Sequence, residues 1–132
     1  MTTDICPCGS GKTLASCCGP FLSGLANAET AEALMRSRYS AYVTLNISYL
    51  KDTLWPKNRT GFDETATMQW ARENHWTGLT VLQVRGGEAA DREGTVLFEA
   101  KFLAAGKLHT HRELSRFRKK AGHWYYVEAI PE

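Results

Sequence analysis

From Thr30 onwards apolar residues recur at helical spacing. Leu34, Met35, Tyr42 and Leu45, with Arg38 among them, fall on one face of an amphipathic helix. Thr30 is placed to cap that helix, and Glu32 in its first turn suits the positive end of the helix dipole. Asn46 caps a second, shorter helix that runs to Leu54 and is stopped by Trp55-Pro56. A third opens at Asp63 or Thr65 and continues through Met68, Trp70 and Ala71 towards Asn74. After His75 the period changes to two. Leu79 to Val84 is apolar and β-branched, and Thr95 to Leu103 alternates, with Val96, Phe98, Ala100 and Phe102 on one face. Arg85-Gly86-Gly87-Glu88 and the acidic residues up to Gly94 form the loop between these strands. Ala105-Gly106-Lys107 and Lys119 to Gly122 read as turns on either side of a third strand, Leu108 to Arg118, and a fourth follows from His123 to Ala129. Helices first and a meander afterwards predict an α+β domain, three helices packed on a curved four-stranded antiparallel sheet.

The first residues follow neither period, and they hold every cysteine of the chain. Cys6-Pro7-Cys8-Gly9-Ser10-Gly11-Lys12 is followed by Cys17-Cys18. Disulfides suit this spacing poorly, because adjacent cysteines rarely bridge and a Cys-x-Cys pair is strained. A set of merely buried or reactive thiols is the other alternative, but it gives no reason for all of them to gather at one end. Four soft sulfur donors close together are what a structural Zn2+ site needs. Gly9 and Gly11 supply the backbone freedom for so tight a fold, and Pro7 stiffens the loop between the first ligands. With Cys6, Cys8, Cys17 and Cys18 filling a tetrahedron, no position is left for an activated water, so the metal is expected to be structural. Gly19-Pro20 closes this knuckle, and the apolar linker from Phe21 to Asn27 is expected to lie on the domain. Residues 1–24 are therefore read as a zinc knuckle and 25–132 as the α+β domain.

Composition narrows the class. A chain of 132 residues buries one ordinary core, and 43% hydrophobic with 23% charged residues is the balance of a soluble globular protein. No stretch approaches the ~20 apolar residues of a membrane span. Met1-Thr2-Thr3-Asp4 shows no basic patch and no apolar run behind it, so no secretory leader is expected. Clustered thiols without an export signal fit a reducing, cytoplasmic setting. A net charge of +2 names no partner, but the charge is uneven. Basic residues between 112 and 120, Arg112, Arg116, Arg118, Lys119 and Lys120, could form a weak RNA or ribosome footprint, or simply the wet side of a strand and its turn.

Candidate chemistry lies on the third strand. Period two puts His109, His111, Glu113, Ser115 and Phe117 on one face. Facing the interior, His111 and Glu113 would form an acid–base pair, with burial raising the Glu113 pKa. Arg38 on the apolar side of the first helix needs a partner, and a buried ion pair with Glu113 would fix helix to sheet. Arg38, Tyr42, His111, Glu113 and Trp124 are the candidate pocket residues. The many large aromatics are expected to be mostly core, with the alternative that some line the cone's mouth and grip a flat or apolar ligand.

The cysteine stretch with its Gly19 resembles the SEC-C motif, the zinc module at the carboxyl end of the translocase motor SecA. The motor's version often ends Cys-His where this one ends Cys-Cys, so the likeness is to the wider motif class. Thr30-Ala31-Glu32-Ala33-Leu34-Met35-Arg36-Ser37-Arg38-Tyr39-Ser40-Ala41-Tyr42 and the stretch from His111 to Phe117 resemble the YchJ-type bacterial family. That family joins a SEC-C knuckle to a domain similar to nuclear transport factor two, of cystatin-like, cone-shaped fold. The resemblance implies a fold and a metal but no activity. In the motor the module contacts protein partners and the ribosome, which implies a protein-protein binding or adaptor role tied to secretion or translation, with Lys12 a candidate contact. The alternatives are a ligand-binding or hydrolase- or isomerase-like cone using His111 and Glu113, and the basic strand as an RNA binder. A closed metal site favours binding over catalysis. Dimerisation through the sheet is a further option that cone folds of this type use.

Overall fold

The computed structural model describes residues 4–132; Met1, Thr2 and Thr3, on which the expectation of no leader partly rests, lie outside them. The sheet consists of β1 (His75–Gly86), β2 (Glu93–Ala104), β3 (Lys107–Lys120) and β4 (His123–Ile130), antiparallel and in the order β1-β2-β3-β4. Two of its hairpins turn on two residues. Ala105 and Gly106 have φ of 51° and 75°, and Ala121 and Gly122 have 52° and 81°. Positive φ at both central positions is the type I′ geometry, whose twist matches that of the flanking strands. Register shifts at Trp76/Gly78 and Val81/Gln83 in β1, and at Val127 of β4 opposite Arg116/Phe117, mark irregular positions that bend the strands.

Helix α1 (Gly19–Leu22) is a single turn, α2 (Ala31–Thr44) is the long helix, and α3 (Ile47–Asp52) and α4 (Glu64–Glu73) follow. The expected caps form: Thr30 Oγ1 accepts from the Ala33 amide at 3.0 Å, and the Asn46 side chain accepts from Tyr49 at 3.3 Å. Of the two residues expected to open the third long helix, Asp63 does so, accepting from Ala66 at 2.9 Å. Helix α1, with Pro20 in its first turn, takes in Gly19-Pro20 and the first two residues of the segment read as a linker, Phe21 and Leu22, and a 3-10 helix at Pro56–Gly61 was not foreseen either. Helix α3 stops at Asp52 because the chain then joins the sheet. The Trp55 amide donates to Tyr126 and the Tyr126 amide donates to Thr53, each at 2.8 Å.

One buried cluster contains Leu34, Met35 and Tyr39 of α2, Leu79, Val96, Phe98, Ala100, Phe117 and Trp124 of the sheet, and also Cys6, Cys8 and Cys18. The knuckle is therefore built into the main core rather than tethered beside it. A second cluster, Ala41, Ile47, Leu50 and Ala71, joins α2, α3 and α4. Gly87 lets the β1–β2 loop reach the start of α2: its carbonyl accepts from the Ala31 amide at 2.9 Å, and a Cβ there would lie 2.6 Å from that of Ala31.

On the outer sheet face the three arginines of the basic stripe are matched by acids, whereas Lys119 donates to the Ala89 carbonyl. Arg112 pairs with Glu99 at 3.2 Å and Glu132 at 2.9 Å, Arg116 with Glu128 at 2.9 Å, and Arg118 with Glu93 at 3.4 Å. Among the described residues no helix is long and apolar enough to cross a membrane.

Candidate metal centre and the cavity of the cone

The knuckle begins as a tight hairpin. Ile5 bridges Thr13, the Cys6 amide donates to Lys12, and the Leu14 amide donates to Asp4, both at 2.8 Å. A 3-10 turn at Leu14–Ser16 then delivers Cys17, and Cys18 sits at the start of α1. These three devices bring the four sulfurs within 4.8 Å of one another. Cys8 Sγ lies 3.6 Å from Cys17 Sγ, which lies 3.9 Å from Cys18 Sγ. Disulfide bonds are about 2.05 Å long, so the thiols are free. Metal–thiolate bonds of about 2.3 Å in a tetrahedron set the sulfurs about 3.8 Å apart. The donor set fits a single tetrahedral ion.

Polar groups from the loop and from α2 surround that site. Ser10 Oγ is 3.2 Å from Cys17 Sγ, and Ser40 Oγ of α2 is 3.5 Å from Cys6 Sγ. Arg36 Nη1 donates to the Cys8 carbonyl at 2.7 Å while its Nε pairs with Glu32 at 2.9 Å. Hydrogen bonding from Cys18 holds the Cys8 thiol well below its usual range. The same contact with Cys8, and then burial, pushes Cys18 up, and burial raises Cys17. Cys8 therefore gives up its proton readily, whereas Cys17 and Cys18 hold theirs until a cation replaces them. Lys12 is exposed on the loop. Arg36, whose role sequence reasoning missed, is the basic residue that holds the knuckle backbone. Its only local signal is the i,i+4 pairing with Glu32.

Gly9 explains how the knuckle sits so close to the sheet. Its φ is +82°, and a Cβ there would lie 3.0 Å from the Leu79 carbonyl oxygen of β1.

Inside the cone, Glu113 is surrounded by donors. Ser115 Oγ and Tyr126 OH donate to its Oε2 at 2.5 and 2.8 Å, and His111 Nε2 lies 2.9 Å from its Oε1. Burial pushes the Glu113 carboxyl up, but the hydrogen bonds from Ser115, His111 and Tyr126 together outweigh it, so its pKa falls below the ordinary value. The expected rise is thus reversed. A carboxylate held low is also a weak proton acceptor at neutral pH.

Arg38 does not form the expected ion pair with Glu113. Its Nη1 donates to the Leu50 carbonyl at 2.8 Å and to Thr53 Oγ1 at 2.6 Å, capturing the end of α3. Its guanidinium lies 4.7 Å from the centre of the Tyr126 ring, whose hydroxyl is the group that reaches Glu113. Burial pulls the Arg38 guanidinium below its ordinary value. Arg38, Tyr42, His111 and Glu113 do line one cavity of ≈ 130 Å³. Trp124 does not. It is buried further along β4, across from Lys119, and its indole donates to the Glu29 carbonyl at 3.0 Å, tying β4 to the chain that enters α2. Trp76, one of the aromatics for which the sequence left core and cone mouth open, lines the cavity.

These features recur in known proteins. Residues 3–20 match the SEC-C motif, and residues 30–129 match the YchJ middle NTF2-like domain. A UPF0225 protein of Geobacter sulfurreducens is 46% identical over 96% of this chain and 78% of its own length. A UPF0225 protein of Actinobacillus succinogenes is 42% identical over 98% of this chain and 84% of its own. The solution structure of a SEC-C motif containing protein from Rhodopseudomonas palustris superposes with a TM-score of 0.89 at 40% identity, over 96% of this chain and 98% of that one. The crystal structure of a SEC-C motif containing protein from Psychrobacter arcticus gives 0.82 at 32% identity, over 96% and 83%. With its amino-terminal cysteine cluster, cone-shaped domain and these relatives taken together, the chain belongs to the YchJ family of UPF0225 proteins.

Proposed function

We propose that this protein is a cytoplasmic binding or adaptor module whose knuckle is held by a structural Zn2+. The observation that carries the reading is the convergence of four sulfurs at tetrahedral spacing, with Cys6, Cys8 and Cys18 buried. Zn2+ suits a closed, all-thiolate tetrahedron and brings no redox chemistry, so its contribution is rigidity. The metal would hold a surface in place. Ile5 is 64% exposed, and Gly9, Gly11 and Lys12 beside it are exposed as well, on a hairpin that the core prevents from moving. An apolar residue next to a lysine on a stiff loop suits a protein partner with an acidic, apolar patch. The SEC-C motif points to the secretion or translation machinery as the source of that partner. The basic strand is a weaker basis for binding RNA, because its arginines are matched by carboxylates.

The test uses the whole metal-loaded chain with Ile5→Asp and Lys12→Glu, which alter the surface and spare every ligand. Both variants are expected to keep full metal content and melting temperature while losing a partner that the unaltered chain retains from a cytosolic extract. An unchanged set of partners would contradict the proposal.

A further inference from the structure

We propose that the cone binds a small aromatic monocarboxylate, with the carboxylate on Arg38 and the ring against the aromatic wall. This goes beyond the knuckle's role and does not depend on it. One nitrogen of Arg38 is used by the fold: Nη1 donates to the Leu50 carbonyl at 2.8 Å and to Thr53 Oγ1 at 2.6 Å. One face of the guanidinium lies 4.7 Å from the centre of the Tyr126 ring. Nε and Nη2 have no acceptor among the described residues. Nor are they sealed off, because the buried side-chain atoms left without a partner among those residues are Trp76 Nε1 and Arg116 Nε. Nε and Nη2 are therefore open to solvent, and the space that Arg38 lines is the cavity of the cone.

These two nitrogens form one edge of the guanidinium, whose parallel N–H groups match the two oxygens of a carboxylate. Among the described residues no ion pair reaches Arg38. A largely desolvated cation is costly without a counter-charge. Glu113 lines the same cavity but does not serve, since its Oε1 faces His111 and its Oε2 accepts from Ser115 and Tyr126. Its charge also limits the ligand to one carboxylate, because a second would face a like charge.

The remaining walls select a ring. Tyr42, Trp70 and Trp76 line the cavity, and Trp70 stands edge-on to the other two at centroid distances of 5.7 and 5.2 Å. Such walls offer faces and edges to a further flat ring. The cavity measures ≈ 130 Å³, and an apolar cavity of about 150 Å³ takes up benzene, so a single ring fits. The mouth admits it, since Trp70 is 43% exposed and the His111 side chain 47%.

The test is a titration of the full-length, metal-loaded chain at neutral pH with benzoate, benzamide and acetate. Affinity is measured by calorimetry, and the arginine Nε–H resonances are followed in nitrogen-15 NMR spectra. Benzamide keeps the ring and an acceptor but has no charge, and acetate keeps the charge but has no ring. Benzoate is expected to shift the Arg38 Nε–H signal saturably and to bind about tenfold tighter than benzamide, the margin of a charged hydrogen bond over a neutral one. Acetate is expected to bind at least about tenfold more weakly than benzoate, having no ring to bury. Glu113→Gln removes the like charge and should tighten benzoate about threefold or more, a gain that poor folding would not produce. Four results would overturn the proposal: no saturable binding of benzoate; binding that leaves the Arg38 signal unmoved; benzamide or acetate binding as tightly as benzoate; or a folded Glu113→Gln chain that holds benzoate no better. The unaltered chain alone decides the first three.

Discussion

Arg36 links the metal loop to the long helix with a single side chain, donating to the Cys8 carbonyl while its Nε is held by Glu32. Arg36→Met keeps the stem and removes the donors, and is expected to cost about 1–3 kcal/mol, read as a lower urea midpoint and faster loss of metal to a chelator. Gly9→Ala is expected to cost roughly as much, since it combines a left-handed φ with a close approach to β1. Glu113 gives a signed pH dependence. Its folded pKa is below its unfolded one, so its contribution is present above the unfolded value of about 4.3 and is lost as pH falls through the folded value. The stability gap between the unaltered chain and Glu113→Gln should therefore be full at pH 7 and close only in acid, measured by urea unfolding across pH. A gap that widened in acid would reverse the assignment. At this scale the convergence of the four cysteines was legible because their spacing is local. The partners of Arg36, Arg38 and Glu113 were not. Cys8 is far from Arg36 in sequence, and Tyr126 reaches Glu113 from the neighbouring strand. Burial alone, all that periodicity reveals, predicted the wrong direction for Glu113.

At the scale of elements, capping residues and alternation carried most of the information. Thr30, Asn46 and Asp63 open helices where their side chains can accept from the first turn, and Val96, Phe98 and Ala100 are buried as their alternation implied. What local pattern could not show was an interruption made by tertiary pairing, such as the end of α3 where Thr53 and Trp55 bond to β4. The early start of β1 at His75 was hidden by Gly78, which weakens a strand pattern, and by the register shift between Trp76 and Gly78, yet His75, Trp76 and Gly78 all pair with β2. The hairpin turns offer a stabilising test. Ala121 holds φ of 52°, which Asn tolerates better than Ala. Ala121→Asn is expected to raise stability by about 0.5–1 kcal/mol, seen as a higher melting temperature. No gain would mean that the turn relaxes out of the type I′ form in solution.

The whole molecule is built as one core with the four-cysteine cluster at its edge. Cys6, Cys8 and Cys18 share a cluster with α2 and the sheet, so removing the ion should be felt throughout the chain. Stripping the metal is expected to lower a single unfolding transition by roughly 10 °C or more, with the aromatic signals of the cone lost in the same step. Two separate transitions would show that the knuckle folds apart from the cone. The paired outer face predicts that single-stranded RNA binds weakly and with little dependence on salt, whereas a steep salt slope in fluorescence anisotropy would count against that charge balance. X-ray absorption at the zinc edge, with metal content measured on the same gently prepared sample, tests the central claim most directly. The account predicts one ion per chain with four sulfur neighbours at about 2.3 Å. A nitrogen or oxygen neighbour, a chain without metal, or a disulfide between any two of the cysteines would contradict it.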